Sequence, residues 1–472
     1  MMPRGREGVA VDKRELKGQR IHFVGIGGSG MSGIARIMLA EGALVSGSDI
    51  KESGATSSLT DLGAKIFIGH DASHVQGVDL VVVSGAITEK NPEVISAHEK
   101  GIPVTVRAEA LALLMSGLRS IAVAGTHGKT TTTSMLTVAL QSAGEDPSFS
   151  IGGMINSSGV NAHRGSGDIF VAEADESDGS FTVYHPLGAI ITNIELDHVD
   201  HFATLDEVHR VFLEFVATIQ SGGFLVACAD DCGVKELLTR IERSDITIYT
   251  YGEGEADFHI SRIHMEPGKS FARVTKTGKV LPELTLSIPG KHNILNAVAA
   301  LAAGIALGVD ATELIAGLER YTGSRRRFEH KGLVNGVEVI DDYGHHPTEI
   351  SVVLETARRY IGTGRILVLF QPHRFSRTQA FADQFARALD TADRAYVLEI
   401  YPASEAPIPG VSSLLITRQM DPLTVVYEPS MVSAVSAVVA ESRPGDLIIT
   451  LGAGDVSSLA PVIVQALEEK NS

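Results

Sequence analysis

Short apolar runs alternate with longer mixed stretches along almost the whole chain. In the first part the apolar runs are Ile21–Gly27, Ala43–Asp49, Lys65–Gly69 and Asp79–Ala86, separated by helix-length segments such as Gly30–Glu41 and Pro92–Gly101. That alternation predicts a parallel sheet with crossover helices. A second block begins at Ser120, with strand-like Ile169–Ala174, Ala189–Ile194 and Phe224–Ala229. Between Asp257 and Ile288 the pattern shifts to short β-branched runs broken by Glu266-Pro-Gly268 and Lys276-Thr-Gly278, which predicts an antiparallel insertion. Helical patterns over His292–Leu307 and Ala311–Arg320 close this block. A third block alternates again through Val337–Asp341, Arg365–Phe370, Ala395–Glu399 and Leu447–Thr450. The expected architecture is α/β in three domains, residues 1–117, 118–324 and 325–472.

Two of the strand-to-helix junctions are rich in glycine. The apolar run Ile121–Ala124 breaks into Gly125-Thr-His-Gly-Lys-Thr-Thr131, and a helix-forming stretch to Ala143 follows at once. Glycines let backbone N–H groups curl around an anion, and the helix N-terminus adds partial positive charge. Lys129 supplies a point charge for the outer phosphates of a nucleoside triphosphate, and a neighbouring hydroxyl can hold Mg²⁺. The loop departs from the full Walker pattern, because Val123 stands where the first glycine is expected. The expected central domain is therefore a P-loop ATPase-like mixed sheet. The other junction, Gly25-Ile-Gly-Gly-Ser-Gly30, is followed by Asp49 at the end of the next apolar run. It reads as a Rossmann-like fingerprint, with a diphosphate at the helix N-terminus and an acid near a ribose. Two nucleotide sites in one chain fit a ligase that uses ATP to activate a nucleotide-linked substrate.

Candidate metal ligands follow the phosphate loop at strand ends, in Glu173-Ala-Asp-Glu-Ser-Asp178 and Asn193-Ile-Glu-Leu-Asp-His-Val-Asp200. Carboxylate and hydroxyl oxygens suit Mg²⁺. Bulk properties narrow the function classes. A formal charge of −17 argues against broad nucleic-acid binding, and no apolar run is long enough for a membrane span. The polar N-terminus lacks a signal-peptide core, and two cysteines, Cys228 and Cys232, form neither a disulfide framework nor a zinc site. The expectation is a cytoplasmic enzyme with small-molecule substrates, monomeric or homodimeric.

Eight segments carry a resemblance to the Mur ligase family, and to its L-alanine-adding branch. They are His22-Phe-Val-Gly-Ile-Gly-Gly-Ser-Gly-Met-Ser-Gly33, the loop 125–131, the acidic segments 173–178 and 193–200, Gly290-Lys-His-Asn-Ile-Leu-Asn-Ala297, Arg326-Arg-Phe-Glu329, Asp341-Asp-Tyr-Gly-His-His-Pro-Thr348 and Gln371-Pro-His-Arg-Phe-Ser-Arg-Thr378. The resemblance implies three α/β domains, the third also Rossmann-like, and an ATP-dependent ligase of peptidoglycan synthesis. It would join L-alanine to the lactyl carboxylate of UDP-N-acetylmuramate through an acyl phosphate. On the same ground, ATP would meet Gly125, Thr126, His127, Gly128, Lys129, Thr130, Thr131, Asn293, Asn296, Arg327, Asp342 and Tyr343. UDP-sugar contacts would come from Gly25, Gly27, Gly28, Ser29, Gly30, Ser32, Asp49 and Ser84. Thr130, Glu173 and His198 would be the Mg²⁺ ligands, and His345, His373, Arg374 and Arg377 the alanine pocket, with Lys129, Arg327 and His345 carrying the chemistry.

His292 has a helix-start capping role as an equal alternative. Several relatives carry a carbamylated lysine after the Asp-His segment, but Val199 to Ile219 contains none. That absence fits the L-alanine-adding branch and leaves Glu173 and water to complete the second metal site. The competing readings are a ligase that adds a whole peptide to the same sugar nucleotide, and a non-ligase nucleotide-binding protein.

Overall fold

The computed structural model describes residues 16–470 apart from 178, 267 and 404. Asp178 of the first acidic segment, Pro267 of the insertion turn and most of the polar N-terminal stretch lie outside the described residues. The chain forms three α/β units, each built on its own sheet.

The first sheet is wholly parallel, in the spatial order Lys65–Ile68, Leu44–Asp49, Arg20–Val24, Leu80–Val83, Val104–Val106. The winding reverses beside Arg20–Val24, and the first glycine loop leaves that strand. In open parallel sheets this reversal opens the crevice in which ligands bind. The strand Val104–Val106 was not expected, because three residues at a half-exposed edge carry too short an apolar signal.

The second sheet has eleven strands. Its parallel centre runs Thr247–Gly252, Phe224–Cys228, Gly188–Ile191, Arg119–Ala124, Ile169–Glu173, Ser148–Ser150. The phosphate-loop strand therefore lies between the strands that end in the two acidic segments, and parallel direction brings all three ends to one edge. The insertion is antiparallel as expected, with Phe258–Glu266 against Lys269–Lys276, but its first strand also pairs in parallel with Thr247–Gly252. It extends the sheet rather than standing apart. Every residue from Thr130 to Leu140 is buried, polar ones included. Three of the hydroxyls bond within the helix, where Thr133, Ser134 and Thr137 donate to the carbonyls of Lys129, Thr130 and Thr133 at 2.8, 2.7 and 2.8 Å, whereas Thr132 Oγ1 has no hydrogen-bond partner among the described residues.

The third sheet orders Glu329–Val334, Val337–Asp342, Leu447–Leu451, Ile366–Phe370, Arg394–Val397, Val425–Tyr427, with only the first strand antiparallel. The four strands expected here are present. The two additional ones are edges whose partly exposed residues give no buried-run signal. Cys228 is buried and Cys232 exposed, both as free thiols. No helix among the described residues is long and apolar enough to cross a membrane.

Candidate active site

The strand Arg119–Ala124 turns into the helix Lys129–Ser142 through a loop that only glycine can make at two points. Gly125 has φ +131 and Gly128 φ +83; a Cβ on them would lie 2.0 Å from Thr192 Oγ1 and 2.7 Å from Asn296 Oδ1. The loop is pinned to the neighbouring strand end, where the His127 N–H donates to Asn193 Oδ1 at 2.8 Å and Thr192 Oγ1 donates to the His127 carbonyl at 2.6 Å. Lys129 Nζ curls back over the loop, donating to the Gly125 and Thr126 carbonyls at 2.6 and 3.1 Å and to Glu176 Oε1 at 2.9 Å. Burial disfavours the charge of Lys129, but the surrounding carboxylates, led by Glu176 and Asp175, outweigh it and raise its pKa.

The acidic segments converge as parallel strand ends require. Thr130 Oγ1 donates to Glu173 Oε1 at 2.9 Å, and Glu173 Oε2 accepts the Gly152 N–H at 2.6 Å. A hydroxyl and a carboxylate at the phosphate loop form an oxygen donor set suited to Mg²⁺. His198 adopts φ +49, a left-handed conformation uncommon outside glycine. Its Nε2 lies 3.6 Å from Glu176 Oε1 and 3.9 Å from Asp197 Oδ2. Glu176, which the sequence did not single out, therefore links Lys129 to His198. Its side chain is nearly buried, and its residue type alone gave no reason to prefer it over its acidic neighbours.

A cavity of about 480 Å³ opens beside the loop, the size of a nucleoside pocket. His127, Gly128, Thr131, Asn293, Asn296, Arg327 and Asp342 line it. Asn293 and Asn296 share one face of the helix Lys291–Ala306, and Asn293 Nδ2 donates to the Pro289 carbonyl at 2.6 Å. His292 does not cap this helix: Gly290 is the N-cap residue, and the imidazole lines the cavity. Asp342 is buried, accepting the Phe328 and Gly344 N–H groups at 2.8 and 2.7 Å. Burial pushes its pKa up to about 6, against the pull of Arg327. Tyr343 is not part of the cavity wall; its ring lies 4.8 and 5.2 Å from the guanidinium carbons of Arg326 and Arg327.

In the third unit His345, His373 and Arg377 come together. The two imidazole rings are 5.7 Å apart, and Arg377 Nη1 lies 3.2 Å from His373 Nδ1. Both arginines reach across to the second unit. Arg377 is buried with Nε and Nη2 on Asp197 Oδ1 at 3.0 and 2.8 Å, and Arg374 pairs with Asp200. The sequence pattern could not announce these partners, because Asp197 and Arg377 meet only through the packing of separate units. His345 Nδ1 donates to the Tyr343 carbonyl at 3.1 Å, which leaves the lone pair on Nε2.

The first glycine loop is equally constrained. Gly25 has φ +81, and a Cβ on it would meet Ser84 Oγ at 3.0 Å. The Gly27 N–H donates to Asp49 Oδ2 at 2.8 Å, so Asp49 braces the loop. Gly28, at the N-cap, and Ser29, Gly30 and Ser32 form the start of the helix Ser29–Ala40. Arg107, unforeseen from the sequence, lies over Gly30 and pairs with Asp175 at 3.1 Å, tying this loop to the second unit.

Five histidines set a pH dependence, His346 among them with its pKa lowered by burial. Burial pushes His292, His345 and His373 down to about 4, 3 and 4, with neighbouring arginines adding to the effect. Burial also works against the charge of His127, but Glu195 and Glu349 outweigh it and raise its pKa from 6.5 to about 9. Below pH 6.5 the unfolded chain binds protons that the depressed histidines refuse, so stability falls as pH drops from about 6.5 toward 3. Between 6.5 and 9 the folded chain keeps the His127 proton that the unfolded chain loses, so stability falls as pH rises through that window. Melting temperature against pH is expected to peak near neutrality, and His127→Gln to flatten the alkaline limb alone. An unchanged alkaline limb would contradict the pairing of His127.

Comparison with known proteins accords with this geometry. Three family models match in order: "Mur ligase family, catalytic domain" over residues 20–119, "Mur ligase middle domain" over 123–304, and "Mur ligase, glutamate ligase domain" over 326–454. The UDP-N-acetylmuramate--L-alanine ligase of Streptomyces avermitilis is 50% identical over 457 residues, covering 96% of this chain and 98% of its own. That of Saccharopolyspora erythraea is 49% identical over 463 residues, covering 96% and 94%. Among solved structures, the UDP-N-acetylmuramate-alanine ligase of Thermotoga maritima superposes with a TM-score of 0.81 at 30% identity, over 96% of this chain and 99% of that one. A murein peptide ligase from Psychrobacter arcticus superposes with 0.70 at 27% identity, over 96% and 99%. With its phosphate loop, strand-end acids and cross-unit arginines in a sequence that these relatives match nearly end to end, the chain belongs to the Mur ligase family.

Proposed function

We propose that this chain is an ATP-dependent ligase that forms an amide between L-alanine and the lactyl carboxylate of UDP-N-acetylmuramate, in peptidoglycan precursor synthesis. The observation that carries this reading is the near-full-length identity of about half to L-alanine ligases. The phosphate-loop lysine, with the cavity beside it at the junction of the units, supports the ATP role. UDP belongs at the first glycine loop, adenosine in the cavity, and the γ-phosphate between Lys129 and Arg327. We take the units to divide near residues 118 and 324, and the reaction to run in the cytoplasm, where ATP is supplied. A monomer or homodimer accommodates it.

The lactyl carboxylate attacks the γ-phosphorus, an O–P bond forms, and ADP leaves. Lys129 and Arg327 offset the developing negative charge, so positioning and electrostatics do most of the catalysis. Thr130 and Glu173 offer one Mg²⁺ position and His198 a second, and the ions supply further neutralisation of phosphate charge when bound. The alanine carboxylate belongs with Arg374 and Arg377, whose present partners are Asp200 and Asp197. The neutral alanine amine then attacks the acyl carbon and phosphate leaves; His345 Nε2 takes the amine proton, the negative charge of the bound phosphates offsetting the burial that otherwise keeps the imidazole neutral.

Phosphate release in the presence of ATP is expected to require both UDP-N-acetylmuramate and L-alanine. Equal release with a muropeptide in place of L-alanine would favour the peptide-adding reading, and release without the sugar nucleotide would sink both. Arg377→Lys keeps the charge but loses the planar fork, and is expected to raise the alanine KM about tenfold or more. KM values for ATP and the sugar nucleotide should move little; a shared rise would tie Arg377 to the Asp197 pair and unit closure instead.

A further inference from the structure

Two carboxylates that also line the cavity, Glu195 and Glu349, flank the imidazole of His127. His127 Nε2 lies 3.4 Å from Glu195 Oε2 and Nδ1 3.3 Å from Glu349 Oε1. Glu195 follows a second-unit strand, whereas Glu349 sits in the first turn of the third-unit helix Pro347–Ile361. The two oxygens of Glu349 have separate tasks. Oε2 accepts the N–H groups of His345 and His346 at 3.0 and 3.3 Å, the return half of a helix capping box. Oε1 faces His127 and, at 3.6 Å, Arg327 Nη1. Capping the helix needs only Oε2; nothing local to the helix calls for Oε1 to face the phosphate loop.

The other side of the seam is already fixed. The backbone of His127 is held by Asn193 and Thr192, so the direction of the imidazole is set by the second unit. Across the seam, the Thr348 hydroxyl donates to Glu195 Oε2 at 2.7 Å. Arg327 belongs to the same third unit, so the partner that Oε1 gains only when that unit closes on the second is His127. His127, Glu195 and His346 also place ligand atoms within 4.8 Å of one another, as a metal site would. However, Thr348 occupies Glu195 Oε2 through its hydroxyl and His346 Nδ1 through its N–H, so the cluster is a hydrogen-bonded seam.

We propose that Glu349 is a positioning residue that draws the third unit onto the phosphate loop through His127 and so sets Arg327 and His345 in their working places. The proposal rests on the ligase reading for its kinetic arm only.

Glu349→Gln is the decisive variant, because its amide oxygen can still accept the two capping N–H groups while the charge is gone. The full chain, with a non-hydrolysable ATP analogue and UDP-N-acetylmuramate bound, is expected to be less compact in small-angle X-ray scattering than wild type. The kcat is expected to fall on the order of tenfold or more, the alanine KM to rise, and the dissociation constant of UDP-N-acetylmuramate to stay unchanged. His127→Gln should reproduce the loss, and the double variant should be little worse than either single one, because both remove one contact. Wild-type compaction and kcat in Glu349→Gln would reduce the carboxylate to a helix cap and overturn the proposal. Additive losses in the double variant would overturn it as well. If Glu349→Gln does not fold, His127→Gln must still lose compaction for the proposal to stand. A wild-type chain that compacts with nucleotide but releases no alanine-dependent phosphate would defeat the ligase reading and leave the latch intact.

Discussion

Lys129→Ala is expected to lower ligase turnover by 10²-fold or more, the loss of one preorganised charge at a transferring phosphoryl group. The structure adds a second consequence. A phosphate-loop lysine read from sequence alone faces ligand or solvent, and its removal should leave the fold untouched. Here Nζ is partly buried and bonded to two loop carbonyls and to Glu176, whose Oε2 has no hydrogen-bond partner among the described residues. Truncating the lysine strands Glu176 without its cation, which costs roughly 3 kcal/mol in comparable buried pairs. A lower melting temperature should therefore accompany the lost turnover. Lys129→Ala with Glu176→Gln should recover much of the stability and none of the turnover. Recovery of turnover in that double variant would remove Lys129 from the phosphate site.

Gly125→Ala should be nearly as severe for a different reason. The added Cβ would fall 2.0 Å from Thr192 Oγ1 and 3.0 Å from the Thr192 backbone nitrogen, at a φ of +131 that side chains rarely adopt. Strain of this kind costs about 1–3 kcal/mol before any clash is counted. The loop must then move off Thr192, so ATP affinity is expected to fall on the order of 10²-fold or more while UDP-N-acetylmuramate still binds. Gly144→Ala provides the control, because its φ is also positive, at +84, but open space surrounds it. It should cost about 1 kcal/mol and leave ATP affinity unchanged. Calorimetry with each nucleotide separates these outcomes, and intact ATP binding by Gly125→Ala would show that the loop tolerates a side chain there.

The α/β order, the strand-to-helix junctions and the loop glycines were legible in the sequence because each is a local demand. A strand buried on both faces must be an apolar run, and a tight strand-to-helix turn with positive φ favours glycine at the residue itself. Edge strands such as Val104–Val106 and Glu329–Val334 escaped because an exposed edge relaxes that demand. The partners of the site were decided only by the tertiary structure. Arg377 and Asp197 read as separate charges in separate blocks, and so do Lys129 and Glu176, or His127 and Glu349. In the fold each pair lies within 3.3 Å. Burial then makes the pairing compulsory and lowers the pKa of His292, His345 and His373, while Glu195 and Glu349 raise that of His127. Charge pairing acts through space and leaves no periodic trace along the chain, whereas backbone conformation and burial of a strand write theirs at the residue concerned.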